Sequence, residues 1–221
     1  VLGNPFPILP GHLTIARLHH LPQSIAENRE MFLQVAEDFG PGMTIFYNGP
    51  QAGASAPDHL HFQAAPAGIL PVEGEILEPR NRVRVGEFLG AVLWRSVGLG
   101  RGIIVIEGQE PGGVITALGE VIAALGRSVP PGDEPRMNLF CTHTGGGWRL
   151  LLFPRRKHRP DAYFREGDGR LLISPGAMDM AGLIITPREE DYRALDADLI
   201  GGIFREVAYD DAAVETLLAL L

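Results

Sequence analysis

Apolar positions fall into short runs broken by Gly, Pro and charge, and each run has a readable period. His12-Leu-Thr-Ile-Ala16, after the turn at Pro10-Gly11, reads as a short strand. From Leu21 to Phe39 the apolar residues Ile25, Phe32, Val35 and Phe39 lie near helical spacing, and Gly40 sits where a helix ends. Met43 to Tyr47 is rich in β-formers. Residues 48–58 form a Gly/Pro/Ser loop, and His59-Leu-His-Phe-Gln63 alternates strictly, which predicts a strand. Residues 66–87, dense in Pro, Gly and charge, read as a connection and a candidate boundary. Then come a strand at Gly102–Ile106, a helix from Val114 to Leu125 ended by Gly126, and strands at Met137–Thr142 and Trp148–Phe153 around Gly145–Gly147. A strand at Gly182–Thr186 leads into Thr186-Pro-Arg-Glu189, which matches a capping box for a helix over 187–207; a last helix covers about 211–220.

The order strand, helix, strand, loop, strand occurs twice. Met43-Thr-Ile-Phe-Tyr-Asn48 is echoed by Met137-Asn-Leu-Phe-Cys-Thr142, 94 residues on, and residues 59–63 are echoed by 148–153. The expected fold is α+β: an antiparallel sheet with packed helices, built from a unit at 1–95 that keeps polar residues on its strand and a degenerate one at 96–221, in one compact domain.

Composition narrows the function. The chain has 221 residues, 45% of them hydrophobic and 21% charged, which is ordinary for a globular protein. The net charge of −8 argues against a polymeric nucleic-acid partner, since a phosphate backbone demands clustered Lys and Arg. The local run Arg155-Arg-Lys-His-Arg159 fits a small phosphorylated ligand better. No apolar stretch approaches the roughly 20 residues of a membrane span. The single cysteine, Cys141, can form neither an internal disulfide nor a zinc tetrad. A cytoplasmic location is expected. Val1-Leu-Gly-Asn-Pro5 lacks a signal peptide's basic start and apolar run, and it begins as though mid-domain, so an upstream stretch is expected.

The chemistry concentrates in Asn48-Gly-Pro-Gln-Ala-Gly-Ala-Ser-Ala-Pro-Asp-His-Leu-His-Phe-Gln63. Residues two apart on a strand share a face about 6.5–7 Å apart. His59, His61 and Gln63 therefore point one way, with Leu60 and Phe62 toward a core. Two imidazoles and an amide are costly to bury without partners, and the preceding loop offers free N–H groups and the Ser55 hydroxyl to a phosphate. A neutral imidazole attacks phosphorus without prior deprotonation, provided that one nitrogen is free and the other donates to a fixed acceptor such as a strand carbonyl. Set against a solvated strand face, this combination favours catalysis. Gly98-Leu-Gly-Arg-Gly102 precedes a strand and is no dinucleotide fingerprint, and Ser55 lacks the context of a nucleophile elbow.

This segment resembles the active-site signature of the histidine-triad (HIT) branch that holds galactose-1-phosphate uridylyltransferase, diadenosine tetraphosphate phosphorylase and GDP-hexose phosphorylases. Asn4-Pro-Phe-Pro-Ile-Leu-Pro-Gly-His-Leu-Thr-Ile15 resembles the HIT opening strand. Phe153–Pro160 and Ser174–Met180 resemble a bacterial subgroup of the branch whose function is unknown. The resemblance implies a HIT-like sheet, with His61 as nucleophile, Gln63 holding the phosphoryl group and favouring a phosphorylated acceptor over water, and Ser55 with Gly53 binding phosphate. It implies that Asn48 contacts the nucleotide. His59, on the same strand face, is expected to join His61 and Gln63 as a catalytic residue by hydrogen-bonding the phosphoryl oxygens or the second histidine. Lys157 and Arg159 are expected to grip a distal phosphate. His12 is expected to pack at a turn, and His19 and His20 at the surface. No metal and no cofactor are expected, apart from Mg²⁺ accompanying the nucleotide. The implied partners are a nucleotide and phosphate or a sugar phosphate, with no membrane and with a homodimer left open. The implied enzyme is a nucleotidyltransferase or phosphorylase; a hydrolase on the same scaffold and a non-catalytic nucleotide sensor are the alternatives.

Overall fold

The computed structural model describes residues 1–221, save the side chain of residue 168. Nine strands make one antiparallel sheet: β1 (Leu2–Gly3), β2 (Leu13–Ala16), β3 (Met43–Asn48), β4 (His61–Pro66), β5 (Arg82–Phe88), β6 (Ala91–Ser96), β7 (Ile104–Gly108), β8 (Met137–Thr144) and β9 (Gly147–Pro154). Their spatial order is β1-β2-β4-β3-β8-β9-β7-β6-β5. The helices are α1 (Arg29–Phe39), α2 (Pro71–Glu75), α3 (Pro111–Gly126), α4 (Ala177–Met180), α5 (Glu189–Ala194), α6 (Ala197–Val207) and α7 (Asp211–Leu218). No helix among the described residues is long and apolar enough to cross a membrane.

The central strands are apolar on both faces because both faces are covered. Ile45, Tyr47, Phe62, Leu139, Cys141, Leu150 and Leu152 face a core shared with α1, α3 and α7. Phe46, Ala65, Phe140, Leu151 and Phe153 face a second core with residues 173–208. The second face carries the polar side chains of β3 and β4. There the covering layer is irregular, and a cavity opens at the β1–β2 end.

Strands β2-β4-β3 are matched in reverse by β8-β9-β7, so the sheet is pseudo-symmetric about the β3–β8 seam. Phe46 and Phe140 are partners across that seam, their rings stacked at 5.7 Å. Phe46 also pairs with Gln63 on β4, while Phe140 pairs with Leu151 on β9. Gln63 thus corresponds to Leu151, and His61, two residues back, to Arg149.

Several sequence expectations are corrected. The helix expected from Leu21 begins only at Arg29, because residues 21–28 spend their polar groups elsewhere: the Gln23 side chain binds β-strand backbone, and Ile25 N–H donates to Glu134 at 2.5 Å. The strand expected at 59–63 begins at His61 and runs to Pro66. Residues 182–186 are not a strand; Leu183 N–H donates to the Met178 carbonyl and Ile185 N–H to Asp179. The helix expected over 187–207 is two, parted at Leu195–Asp196, where Asp196 caps Leu199 N–H at 2.8 Å. The stretch expected as a connection at 66–87 contains α2 and most of β5, whose hairpin with β6 turns through Leu89 (φ 45°) and Gly90 (φ 80°).

Candidate active site

His61 opens β4, and its ring is settled by its neighbour's backbone. Nδ1 lies 2.8 Å from the His59 carbonyl oxygen, which can only accept, so Nδ1 carries the proton and Nε2 keeps its lone pair. Nε2 has no partner among the described residues, and His61 lines a cavity of about 480 Å³. That volume suits a small-molecule site. The backbone beneath the ring is clamped by Gln23, which is buried. Its Oε1 accepts from His61 N–H at 2.8 Å, and its Nε2 donates to the carbonyls of His61 (3.1 Å) and Asn48 (2.9 Å). Gln23 locks the first residue of β4 to the last of β3. Sequence reasoning missed it, because a glutamine inside a helix-spaced apolar stretch carries no signal.

Gln63 lies two residues along the same face. Its Oε1 accepts from His12 Nε2 at 2.7 Å and from Asn4 Nδ2 at 3.3 Å. His12 Nδ1 in turn accepts from Ile8 N–H at 3.3 Å, which leaves the His12 proton on Nε2. Burial also pushes the His12 pKa below its ordinary value, holding the ring neutral. With its oxygen occupied, Gln63 offers the cavity only its NH₂. His12 is therefore more than the turn histidine expected from sequence.

Asn48, at the end of β3, repeats this polarity. Its Oδ1 accepts from Asn138 Nδ2 (2.8 Å) and Ala177 N–H (2.7 Å), and its NH₂, without a protein partner among the described residues, is left for the cavity that Asn48 lines. Gly53 and Ser55 line the same cavity, Ser55 without a protein hydrogen-bond partner among the described residues. Gly53 has φ 99°, and a Cβ there would lie 2.6 Å from Gly176 Cα. This close approach presses the 49–55 loop onto residues 174–179, which form the opposite wall. Asp179 is buried in that wall, where its carboxylate accepts from Gly176 N–H and Ile185 N–H. Burial raises its pKa to about 6, against the pull of those N–H groups and of Arg155.

Two sets of expected residues are held otherwise than expected. His59 lies on the turn before β4. Its Nε2 donates to the Arg17 carbonyl at 2.9 Å, and its Nδ1 lies 3.1 Å from His20 Nδ1. Although His59 lines the cavity, both its nitrogens are engaged, and its hydrogen bond to His61 runs through its carbonyl. Lys157 and Arg159 do not line the cavity. Lys157 Nζ is held by Asp161 and Glu206, each at 2.8 Å, and these acids raise its pKa. Arg159 lies over the Tyr163 ring at 4.3 Å and donates to Ser174 Oγ, so it supports a wall residue. After β9 the chain is drawn off toward α6, with Arg156 N–H donating to the Val207 carbonyl, and this turns the basic run away from the ligand space. Among the described residues no group of three or more His, Cys, Asp or Glu side chains is placed to hold a metal ion.

The counterpart position in the second half is chemically different. A smaller cavity, about 180 Å³, is lined by Phe140, Thr142, Arg149 and Leu151. Arg149, where His61 stands in the first half, donates to Glu107 at 2.6 Å. An always-protonated guanidinium cannot be a nucleophile.

Residues 1–66 match the family DUF4922, a domain of unknown function. No curated protein matches the chain. The yeast Ap4A phosphorylase Apa2 is similar in structure, with a TM-score of 0.64 at 15% identity over 94% of this chain and 71% of that one. Its complex with Ap4A gives 0.63 at 16% identity, over 94% and 72%. A DUF4931 family protein from Bacillus cereus gives 0.50 at 16% identity, over 81% of this chain and 91% of that one. At these identities the likeness is one of fold: a mixed α+β architecture with an antiparallel sheet and packed helices.

Proposed function

We propose that this chain transfers a nucleotidyl group through a covalent intermediate on His61. The observation that carries the reading is the state of the ring: Nδ1–H is tied to a carbonyl, and Nε2 is open to the cavity with amide NH₂ groups from Asn48 and Gln63 lining the same space. The Nε2 lone pair attacks the α-phosphorus of a nucleotide, forming an N–P bond. The bond from that phosphorus to the bridging oxygen breaks, and the leaving phosphate or phosphorylated group departs with the electron pair. An acceptor oxygen then attacks the same phosphorus, and the N–P electrons return to Nε2. The NH₂ groups of Asn48 and Gln63 and the Ser55 hydroxyl donate to phosphoryl oxygens, whose charge grows in each transition state. Gln63 cannot supply a proton as a histidine could, which favours a phosphate or sugar-phosphate acceptor over water. The fold likeness to a phosphorylase whose structures hold AMP and Ap4A supports a nucleotide as the occupant.

The test is to incubate the protein with Ap4A, UDP-glucose and GDP-glucose, with and without inorganic phosphate, and to record intact and peptide masses. Without phosphate, one nucleoside monophosphate should be added to the peptide holding His61, labile to acid and stable to base. With phosphate, a nucleoside diphosphate should be released. Release of the monophosphate alone under both conditions would make the protein a hydrolase. Turnover with no adduct, retained in His61→Ala, would sink the covalent mechanism.

A further inference from the structure

The basic run after β9 opens on a residue that does not line the His61 cavity and whose burial asks for a reason. Arg155 is 4% exposed, and among the described residues no carboxylate is in salt-bridge contact with it, Asp179 acting on it only at a distance. A buried cation without a contacting carboxylate is costly unless every N–H is satisfied. Here Nε donates to the Val207 carbonyl (3.1 Å), and Nη2 to the carbonyls of Lys157 (3.3 Å) and His158 (3.1 Å). Nη1 donates to Asn138 Oδ1 (2.7 Å) and to the Pro175 carbonyl (3.0 Å). The last two acceptors lead to the cavity.

We propose that Arg155 is a positioning residue, which through Asn138 and Pro175 holds Asn48 with its NH₂ turned into the cavity as donor to a ligand oxyanion. The ligand's nature rests on the function proposed above; the relay does not. A guanidinium only donates. Asn138 must therefore present its oxygen to Arg155, which leaves its NH₂ for the far side, where it donates to Asn48 Oδ1 (2.8 Å) and the Ala52 carbonyl (2.6 Å). The second arm starts from the same Nη1. It grips Pro175, two residues before Ala177, whose N–H donates to the same Asn48 oxygen at 2.7 Å. Both arms converge on one atom, and Asn48 has only its NH₂ left for the cavity. A side chain at 155 able to accept would leave the direction of this chain open. Gln63 is oriented the same way by His12 and Asn4. Neither amide therefore offers the cavity an oxygen, and the site selects ligands rich in acceptors, as phosphoryl groups are.

The experiment measures solvent exchange of side-chain amide protons by NMR in the ligand-free chain, and binding of ADP, GDP, CDP and UDP by calorimetry. In the wild type, the Asn48 NH₂ protons should exchange with water faster than those of Asn138, and a bound diphosphate should slow them. Asn138→Asp keeps the shape and the contact with Arg155 but removes the donor to Asn48. With an oxygen now facing Asn48 Oδ1 and only Ala177 N–H left to hold that atom, the Asn48 amide should turn over in part and become partly protected, and diphosphate affinity should fall about tenfold or more. Arg155→Lys, also a donor only, should keep the Asn48 exchange pattern, which loss of packing alone would not preserve. Protected Asn48 protons in the wild type, or an Asn138→Asp variant with unchanged exchange and affinity, would overturn the relay; the wild-type reading stands even if a variant does not fold. Should none of the four diphosphates bind, the oxyanion ligand and the proposed function fall together, while the exchange pattern still decides the relay. Should they bind without an adduct on His61, the covalent mechanism falls and the relay stands.

Discussion

At His61 the reactive nitrogen is chosen by the hydrogen bond on the other side of the ring. Loss of the ring removes the pathway, so His61→Ala should abolish turnover and adduct formation in the mass assay. Gln63 only donates. Gln63→Ala should slow transfer by about 10²–10³-fold, equivalent to ~3–4 kcal/mol, with binding largely kept in single-turnover kinetics. His12 carries a pH signature. Its folded pKa is depressed by burial, so the folded state binds fewer protons there than the unfolded chain does. The stability His12 contributes is present above its unfolded pKa of about 6.5 and is lost as the pH falls below it. The thermal midpoint of His12→Gln should therefore fall less between pH 7.5 and 5.5 than that of the wild type; an identical fall would contradict this. At this scale the sequence was legible where strand alternation governs, as at His61 and Gln63. At His59 alternation was extended into a turn, although the residue still lines the cavity, and Lys157 and Arg159 were misplaced, because local charge does not say which way a side chain faces. Gln23 and Asn138 act through partners 17 or more residues distant, and nothing local marks them.

Among the elements, strands with one clear hydrophobic period were foreseen and those without were not. In β5 the residues Arg82, Val83, Arg84 and Val85 alternate, yet Val83 and Val85 are about half exposed, so the pattern marks an edge and not a buried face. The run 182–186 is as apolar as a strand, but the Asp179 side chain takes the Ile185 N–H that a ladder would need. The break between α5 and α6 is held by the Asp196 cap. Asp196→Ala should cost about 1 kcal/mol in urea unfolding and leave nucleotidyl transfer unchanged. Lys157→Ala should change nucleotide affinity by less than about twofold, since the lysine is committed to Asp161 and Glu206 at the surface. A tenfold loss would return it to the ligand.

The whole molecule is a sheet with two related halves and unequal chemistry. The α+β class and the recurrence of strand, helix and hairpin could be read from the sequence, because both rest on hydrophobic period. The cover on the second face could not, since residues 173–208 contribute it as irregular chain and short helices. With Arg149 where the other half has His61, labelling should saturate at one nucleotidyl group per chain. The meeting of Gly53 with Gly176 also sets an order of events in time. The 49–55 loop cannot take its final course until a segment far downstream arrives, and the bond from Ala177 N–H to Asn48 spans 129 residues. Closing so long a loop is slow and entropically opposed, while the β3–β4 and β8–β9 hairpins close locally. During synthesis His61 should therefore stand on a finished strand, facing water, before the chain that completes its pocket has been made.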